Sequence, residues 1–126
     1  MDFNDINLSK IIFITGGTKS GKSELAEYLG RKIEKITYIA LSESRPEDIT
    51  WQKKIIQHRK RRPKEWELIE TIDLISALVN EKGPVLIDSI GGFIMENINK
   101  NDEEWENKIN LLLDLLKARE NTTLIV

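Results

Sequence analysis

Eight residues near the amino end, Gly16-Gly17-Thr18-Lys19-Ser20-Gly21-Lys22-Ser23, have the types and order needed to hold a polyphosphate. They read G-x-x-x-x-G-K-S, the phosphate-cradling loop of nucleotide-binding enzymes. Glycines let the backbone curl with its N–H groups turned inward, toward an anion that side chains would obstruct. Lys22 can then reach the β- and γ-phosphates, while the Ser23 hydroxyl can coordinate Mg²⁺. Asp88 closes the apolar run Val85-Leu86-Ile87. An acid at a strand end can simply cap a loop or a helix. Joined to a phosphate loop, it reads as the carboxylate that holds Mg²⁺.

His58 is the sole histidine of the chain. Lys54, Arg59, Arg61 and Arg62 flank it, and cationic neighbours depress an imidazole pKa. A neutral ring at pH 7 is a nucleophile, and the same cations supply donors for an incoming phosphate. Ile55 and Ile56 are placed to fasten this segment to a sheet and fix the ring's direction. A solvated helix face or a nucleic-acid patch would use the same cations. The cluster has no aromatic residue on which bases could stack, which weighs against nucleic acid.

The charge distribution agrees. The net charge is −2, yet seven Lys/Arg and no acid lie between Lys53 and Lys64, leaving −9 for the rest, with 12 basic and 21 acidic residues. Such a chain suits an anion gripped at one place, not a long polyanion. With 126 residues, 40% hydrophobic and 32% charged, the composition fits one globular nucleotide-binding domain over residues 1–126. Cysteine is absent, which excludes disulfides and thiolate metal sites. The acidic start Met1-Asp2-Phe3-Asn4-Asp5 is unlike a secretory or transit leader, and no apolar run is long enough to span a bilayer; the expected location is the cytoplasm.

These residues need elements to position them. The pattern predicts strands at 11–15, 36–41, 66–70, 84–88 and 122–126, alternating with helices at 22–34, 47–61, 72–80, 90–99 and 102–120. Leu25, Leu29 and Ile33 recur at helical spacing, and Pro46-Glu47-Asp48 is a helix start signal. Trp105, Ile109, Leu112, Leu113 and Leu116 form an apolar face on the last helix, with Asn101 or Asp102 as its cap. Alternating strands and helices imply an α/β fold: a three-layer sandwich of the P-loop NTPase type around a mostly parallel sheet, with ligands at the carboxyl ends of the strands. The last predicted strand ends the chain, which suggests that a C-terminal part of the fold is missing.

Several ordered motifs carry a family resemblance. They are the GGTKSGKS loop, Tyr38-Ile39-Ala40, Gln57-His58-Arg59, Arg62-Pro63-x-x-Trp66, Glu70, Leu86-Ile87-Asp88-Ser89 and Asn97. Together they resemble the bifunctional adenosylcobinamide kinase/adenosylcobinamide-phosphate guanylyltransferase family of cobalamin biosynthesis. The resemblance implies two reactions. A nucleoside triphosphate, ATP or GTP with Mg²⁺, phosphorylates adenosylcobinamide; GTP then places GMP on a histidine, which passes it to adenosylcobinamide-phosphate. His58 falls on the guanylylated histidine. The resemblance further implies nucleotide contacts from Gly16 through Ser23, from Leu41, Ser42 and Glu43, from Arg59, Lys60, Arg61 and Arg62, and from Glu70 and Asp88. It implies a homo-oligomer for a full-length chain.

This sequence departs from the family pattern at several points. Thr50, Trp51, Gln52 and Ile55 stand where an acidic pair, a methionine and an arginine are usual. An arginine at 61 or 62 replaces a glycine, and Gly91-Gly92-Phe93 replaces a stretch with threonine and tryptophan. The family's Asn-Glu-Val-Gly segment and further sheet would lie past Val126. Three readings follow: the two-step enzyme, a degenerate nucleotide-binding module, or a small-molecule kinase without guanylyl transfer.

Overall fold

The computed structural model describes residues 11–17, 20–33, 35–42 and 47–126, with the side chain of His58 outside that description. Five parallel strands form one sheet: β1 (Ile11–Phe13), β2 (Thr37–Leu41), β3 (Glu67–Thr71), β4 (Val85–Asp88) and β5 (Thr123–Ile125). Their spatial order is β1-β5-β4-β2-β3. Five helices alternate with them: α1 (Lys22–Gly30), α2 (Ile49–Arg61), α3 (Leu74–Asn80), α4 (Ile90–Glu96) and α5 (Asp102–Ala118).

The central strands are apolar on both faces because helices cover both, the pattern of a buried parallel sheet. Side chains alternate along each strand, so neighbouring residues enter different cores. Ile39, Leu41, Val85, Ile87 and Ile125 pack with Leu74, Leu78, Phe93, Leu112 and Leu116 of α3, α4 and α5. Tyr38, Leu86 and Leu124 pack with Ala26 and Leu29 of α1 and with Trp66. Each fully buried aliphatic side chain contributes roughly 1.5–3 kcal/mol relative to exposure. Asp88 follows Ile87, so the alternation places it beside Tyr38 on the α1 face. At the amino ends of the strands, Arg119 ties neighbouring segments together, donating to the Glu81 and Gly83 carbonyls and the Thr123 hydroxyl.

The expected elements all form, and caps set several of their ends. Asp48 is extended and accepts from the Trp51 N–H at 3.0 Å, so α2 begins at Ile49 and not at 47; Pro46 lies outside the described residues. Asp73 caps α3 in the same way, which starts it at Leu74 instead of 72. Asn101 caps α5, accepting from the Glu104 N–H at 2.9 Å. Helix α1 stops at Gly30, short of the expected 34, where the bonds tighten to a spacing of three, from the Lys32 N–H to the Leu29 carbonyl and from the Ile33 N–H to that of Gly30. On α5 the expected core residue Leu113 is 43% exposed, while Leu115 packs against the core. At about 100° per residue, Leu113 falls to one side of the stripe through Trp105, Leu112 and Leu116. No helix among the described residues is long and apolar enough to cross a membrane.

Candidate nucleotide site

The phosphate loop lies between β1 and α1, at the carboxyl edge of the sheet. Gly21 takes φ +87°, a conformation that L side chains rarely adopt, and this turn feeds directly into α1. Gly16 has a second requirement, since a Cβ there would come within 2.5 Å of the Ser20 Oγ. Lys22 and Ser23 open the helix, whose N-terminal dipole favours an anion. The Lys22 Nζ donates to the Gly16 and Gly17 carbonyls at 3.4 and 3.3 Å, so its ammonium is folded over the loop it serves. Thr18 and Lys19 lie outside the described residues.

Asp88 arrives at the same place from β4. The Ser23 Oγ donates to the Asp88 Oδ2 at 3.4 Å, joining residues 65 positions apart. Two oxygen donors on separate elements, one hydroxyl and one carboxylate, fit a hard cation that completes its shell with phosphate and water. Among the described residues no group of three or more His, Cys, Asp or Glu forms a protein-only metal cage. A Mg²⁺ held here would therefore depend on the nucleotide for its other ligands.

The Asp88 carboxylate has another partner that the sequence reading left without a role. The Tyr38 hydroxyl donates to the same Oδ2 in a short hydrogen bond. Burial and the Asp88 charge push the phenol pKa far up, so Tyr38 stays a donor. The Arg62 guanidinium sits 4.0 Å above the Tyr38 ring, a cation–π contact. Parallel register explains the meeting: Ala40 pairs with Asp88, which brings Tyr38, two residues earlier on the same face, diagonally beside the carboxylate. An aromatic in phase with the strand-end acid was the available signal, but using it requires knowing which strands are neighbours.

Two adjoining cavities open beside these residues. One of about 250 Å³ is bounded by Leu41, Trp51, Ile55, Asp88 and Ser89, under α2 and over the ends of β2 and β4. The other, about 460 Å³, is bounded by Arg59, Pro63, Lys64, Trp66 and Glu67 along β3. Tyr38, Arg62, Leu68 and Glu70 line both. Two of the positions where the sequence departs from the family pattern, Trp51 and Ile55, thus form the apolar wall of the first cavity. Of the two isoleucines expected to fasten α2, Ile55 is half-buried and Ile56 is 50% exposed. Only the first serves.

The remaining sequence candidates divide into two groups. Leu41 and Ser42 stand at the end of β2 on the cleft, and Glu43 lies outside the described residues. Arg59 pairs with Glu70 at 3.4 Å, so these two form one charged unit in the cavity wall. Lys60 is exposed and borders neither cavity. Arg61 turns to α1: its Nε and one terminal nitrogen donate to the two Glu27 oxygens at 2.6 and 3.0 Å, and the other nitrogen reaches Glu24 at 3.1 Å. The hydrogen bonds to Glu27 raise the Arg61 pKa further. Residue 58 lies in α2, which runs beside this cleft. Glu27 was missed, because a carboxylate in a helix reads as solvent-facing unless its distant partner is known.

Comparison with known proteins identifies the family. Residues 12–126 match the family model described as cobinamide kinase / cobinamide phosphate guanyltransferase. The bifunctional adenosylcobalamin biosynthesis protein CobU of Escherichia coli (strain K12) is 30% identical over 105 residues, covering 76% of this chain and 57% of the relative. The chain thus spans a little over half the length of that curated relative. The family model covers nearly the whole chain, and the chain belongs to the cobinamide kinase/cobinamide phosphate guanyltransferase family.

Proposed function

We propose that the chain performs both reactions of its family, phosphorylating adenosylcobinamide and then transferring GMP from GTP by way of His58. The observation that carries this reading is the convergence of Ser23 with Asp88 beneath a helix that contains His58 and a run of cations. In the first reaction the phosphate loop and Lys22 hold the triphosphate of ATP or GTP; the aminopropanol hydroxyl oxygen bonds to the γ-phosphorus, the bond from that phosphorus to the β–γ bridging oxygen breaks, and the nucleoside diphosphate leaves as the hydroxyl proton passes to solvent. Mg²⁺, held by Ser23 and Asp88, supplies charge neutralisation on the phosphate oxygens when bound.

In the second reaction an imidazole nitrogen of His58 attacks the α-phosphorus of GTP. An N–P bond forms, the bond from the α-phosphorus to the bridging oxygen breaks, and pyrophosphate leaves. A phosphate oxygen of adenosylcobinamide-phosphate then attacks the same phosphorus. The N–P bond breaks, the imidazole is regenerated, and adenosylcobinamide-GDP is released. Arg62 and Arg59 border the cleft and would offset the charge that develops at phosphorus. Glu70, a carboxylate in the wall of both cavities, is placed to accept hydrogen bonds from the nucleotide base.

The test is incubation with GTP labelled at the α-phosphate. The protein should acquire label in an acid-labile, alkali-stable linkage, and His58→Ala should abolish it. An unlabelled protein that still binds GTP through Lys22 would select a nucleotide-binding module instead. Phosphorylation of adenosylcobinamide without protein labelling would select a simple kinase. The location expected from sequence remains the cytoplasm, with adenosylcobinamide and its phosphate as the partners.

A further inference from the structure

Glu27 is a carboxylate with 1% exposure, in the helix that follows the phosphate loop. A buried charge of this kind needs a cation with good geometry, or it costs more than burial returns. Arg61 meets the requirement with two parallel N–H donors, and its third nitrogen engages Glu24. A planar fork fixes the angle between two elements as well as their separation, which a lysine would not do. The backbone is tied at the same point, since Arg31 donates to the Arg61 carbonyl at 2.9 Å.

The location of this pair gives it consequence. Arg61 is three residues beyond His58 in α2, and Glu27 is four beyond Ser23 in α1. Among its described residues α2 has none that is buried, so packing alone specifies its position weakly. The fork is therefore the most direct connection between the helix that contains the histidine and the helix that receives the phosphates. We propose that the Glu27–Arg61 pair is a positioning device that sets α2 against α1 and so controls the rate of GMP transfer to His58. Both are positioning residues: with two carboxylates on its guanidinium, Arg61 acts through the helix and not on the phosphate. This rests on His58 being the guanylyl acceptor.

The chain has no cysteine, so a pair of spin labels can be placed cleanly. Lys53→Cys on α2 and Val79→Cys on α3, both exposed, report the distance from α2 to the sheet scaffold. Arg61→Ala and Glu27→Gln should each shift or broaden that distance distribution. Each should slow GMP labelling at saturating GTP by about tenfold to a hundredfold, the range a misplaced reacting group produces. The Kd for GTP should stay within about threefold, because the lost interaction is one of geometry and not of ground-state binding. The double variant should be no slower than the slower single one, as members of one interacting pair behave. Should either single variant fail to fold, Glu27→Leu with Arg61→Met removes both charges at once and keeps the site filled.

Unchanged distances with an unchanged labelling rate would overturn the proposal. So would slowing and weaker GTP binding confined to Arg61→Ala, since that outcome makes Arg61 a direct phosphate contact. A parent chain that takes no label overturns the guanylyl reading itself, and the rate control with it. A parent that labels normally beside unaffected variants sinks the positioning role alone.

Discussion

Helices α3 and α5 are held to the sheet by a different force from the one that holds α2. The first two bury Leu74, Ala77 and Leu78, and Leu112 and Leu116, in one continuous apolar cluster. Their positions follow from removing hydrocarbon from water, a force without direction that rewards close packing. Helix α2 has half-buried Trp51 and Ile55, and its ion pairs to other elements are directional: Arg59 on Glu70, and Arg61 on Glu24 and Glu27. The scaffold that carries Asp88 is thus fixed by packing. Helix α2, which borders the cleft, is fixed mainly by ion pairs. Weak burial with directional ties leaves α2 less firmly specified by packing than α3 and α5.

The largest expected effect contrasts the two attachments directly. Leu78→Ala should destabilise the chain by about 2–5 kcal/mol, the cost of removing a fully buried leucine and leaving a cavity. Ile55→Ala in α2 should cost about 1 kcal/mol or less, since that side chain is only half-buried. Urea unfolding of the three proteins measures both values. Equal losses would show that α2 is packed as firmly as α3 and would remove the distinction.

Tyr38→Phe probes the junction between the two regions at a smaller scale. The ring stays in its core and under Arg62, while the O–H that orients Asp88 is lost. Partners that orient a ligating carboxylate typically contribute about tenfold or more to metal affinity. If Ser23 and Asp88 hold Mg²⁺ as proposed, the Mg²⁺ concentration for half-maximal nucleotide binding should rise by about tenfold, with little loss of stability. Fluorescence titration with a labelled nucleotide reads it. An unchanged Mg²⁺ requirement would mean that β4 alone holds the carboxylate in place.

These contrasts also explain what the sequence disclosed. The phosphate loop and the apolar run ending in Asp88 are local patterns, each complete within a few residues, and both stand where alternation of strands and helices put them. The caps are local too: Asn101 starts α5 where the pattern expects it, while Asp48 and Asp73 start α2 and α3 two residues later than expected. What escaped is pairwise and distant. Arg61 and Glu27 are 34 residues apart, and Tyr38 and Asp88 are 50 apart. Neither member of the first pair announces its partner, and the second needs the register of β2 on β4. The resemblance places Arg61 among the nucleotide contacts, and in the structure its guanidinium is taken up by Glu24 and Glu27, partners that the sequence alone does not reveal.

The smallest effect belongs to a cap in the apolar half. Asp73 accepts from the Ser76 hydroxyl at 2.7 Å and from the Ser76 N–H at 3.1 Å, and these bonds hold its carboxyl below the ordinary aspartate range. A folded-state pKa lower than the unfolded one adds stability above the unfolded value, near pH 4, and that contribution disappears as pH falls through the folded value. Asp73→Ala should cost about 1 kcal/mol at pH 7, the usual value of an N-cap. Asp73→Asn keeps a capping oxygen and loses only the charge, so it should cost a few tenths of a kcal/mol at most, because the group is exposed and screened. The gap between wild type and Asn should close below about pH 4, while the deficit of Ala persists there. A gap that does not narrow at all as pH falls from 7 through the acid range would assign the cap to shape alone, with no contribution from the ionised carboxylate.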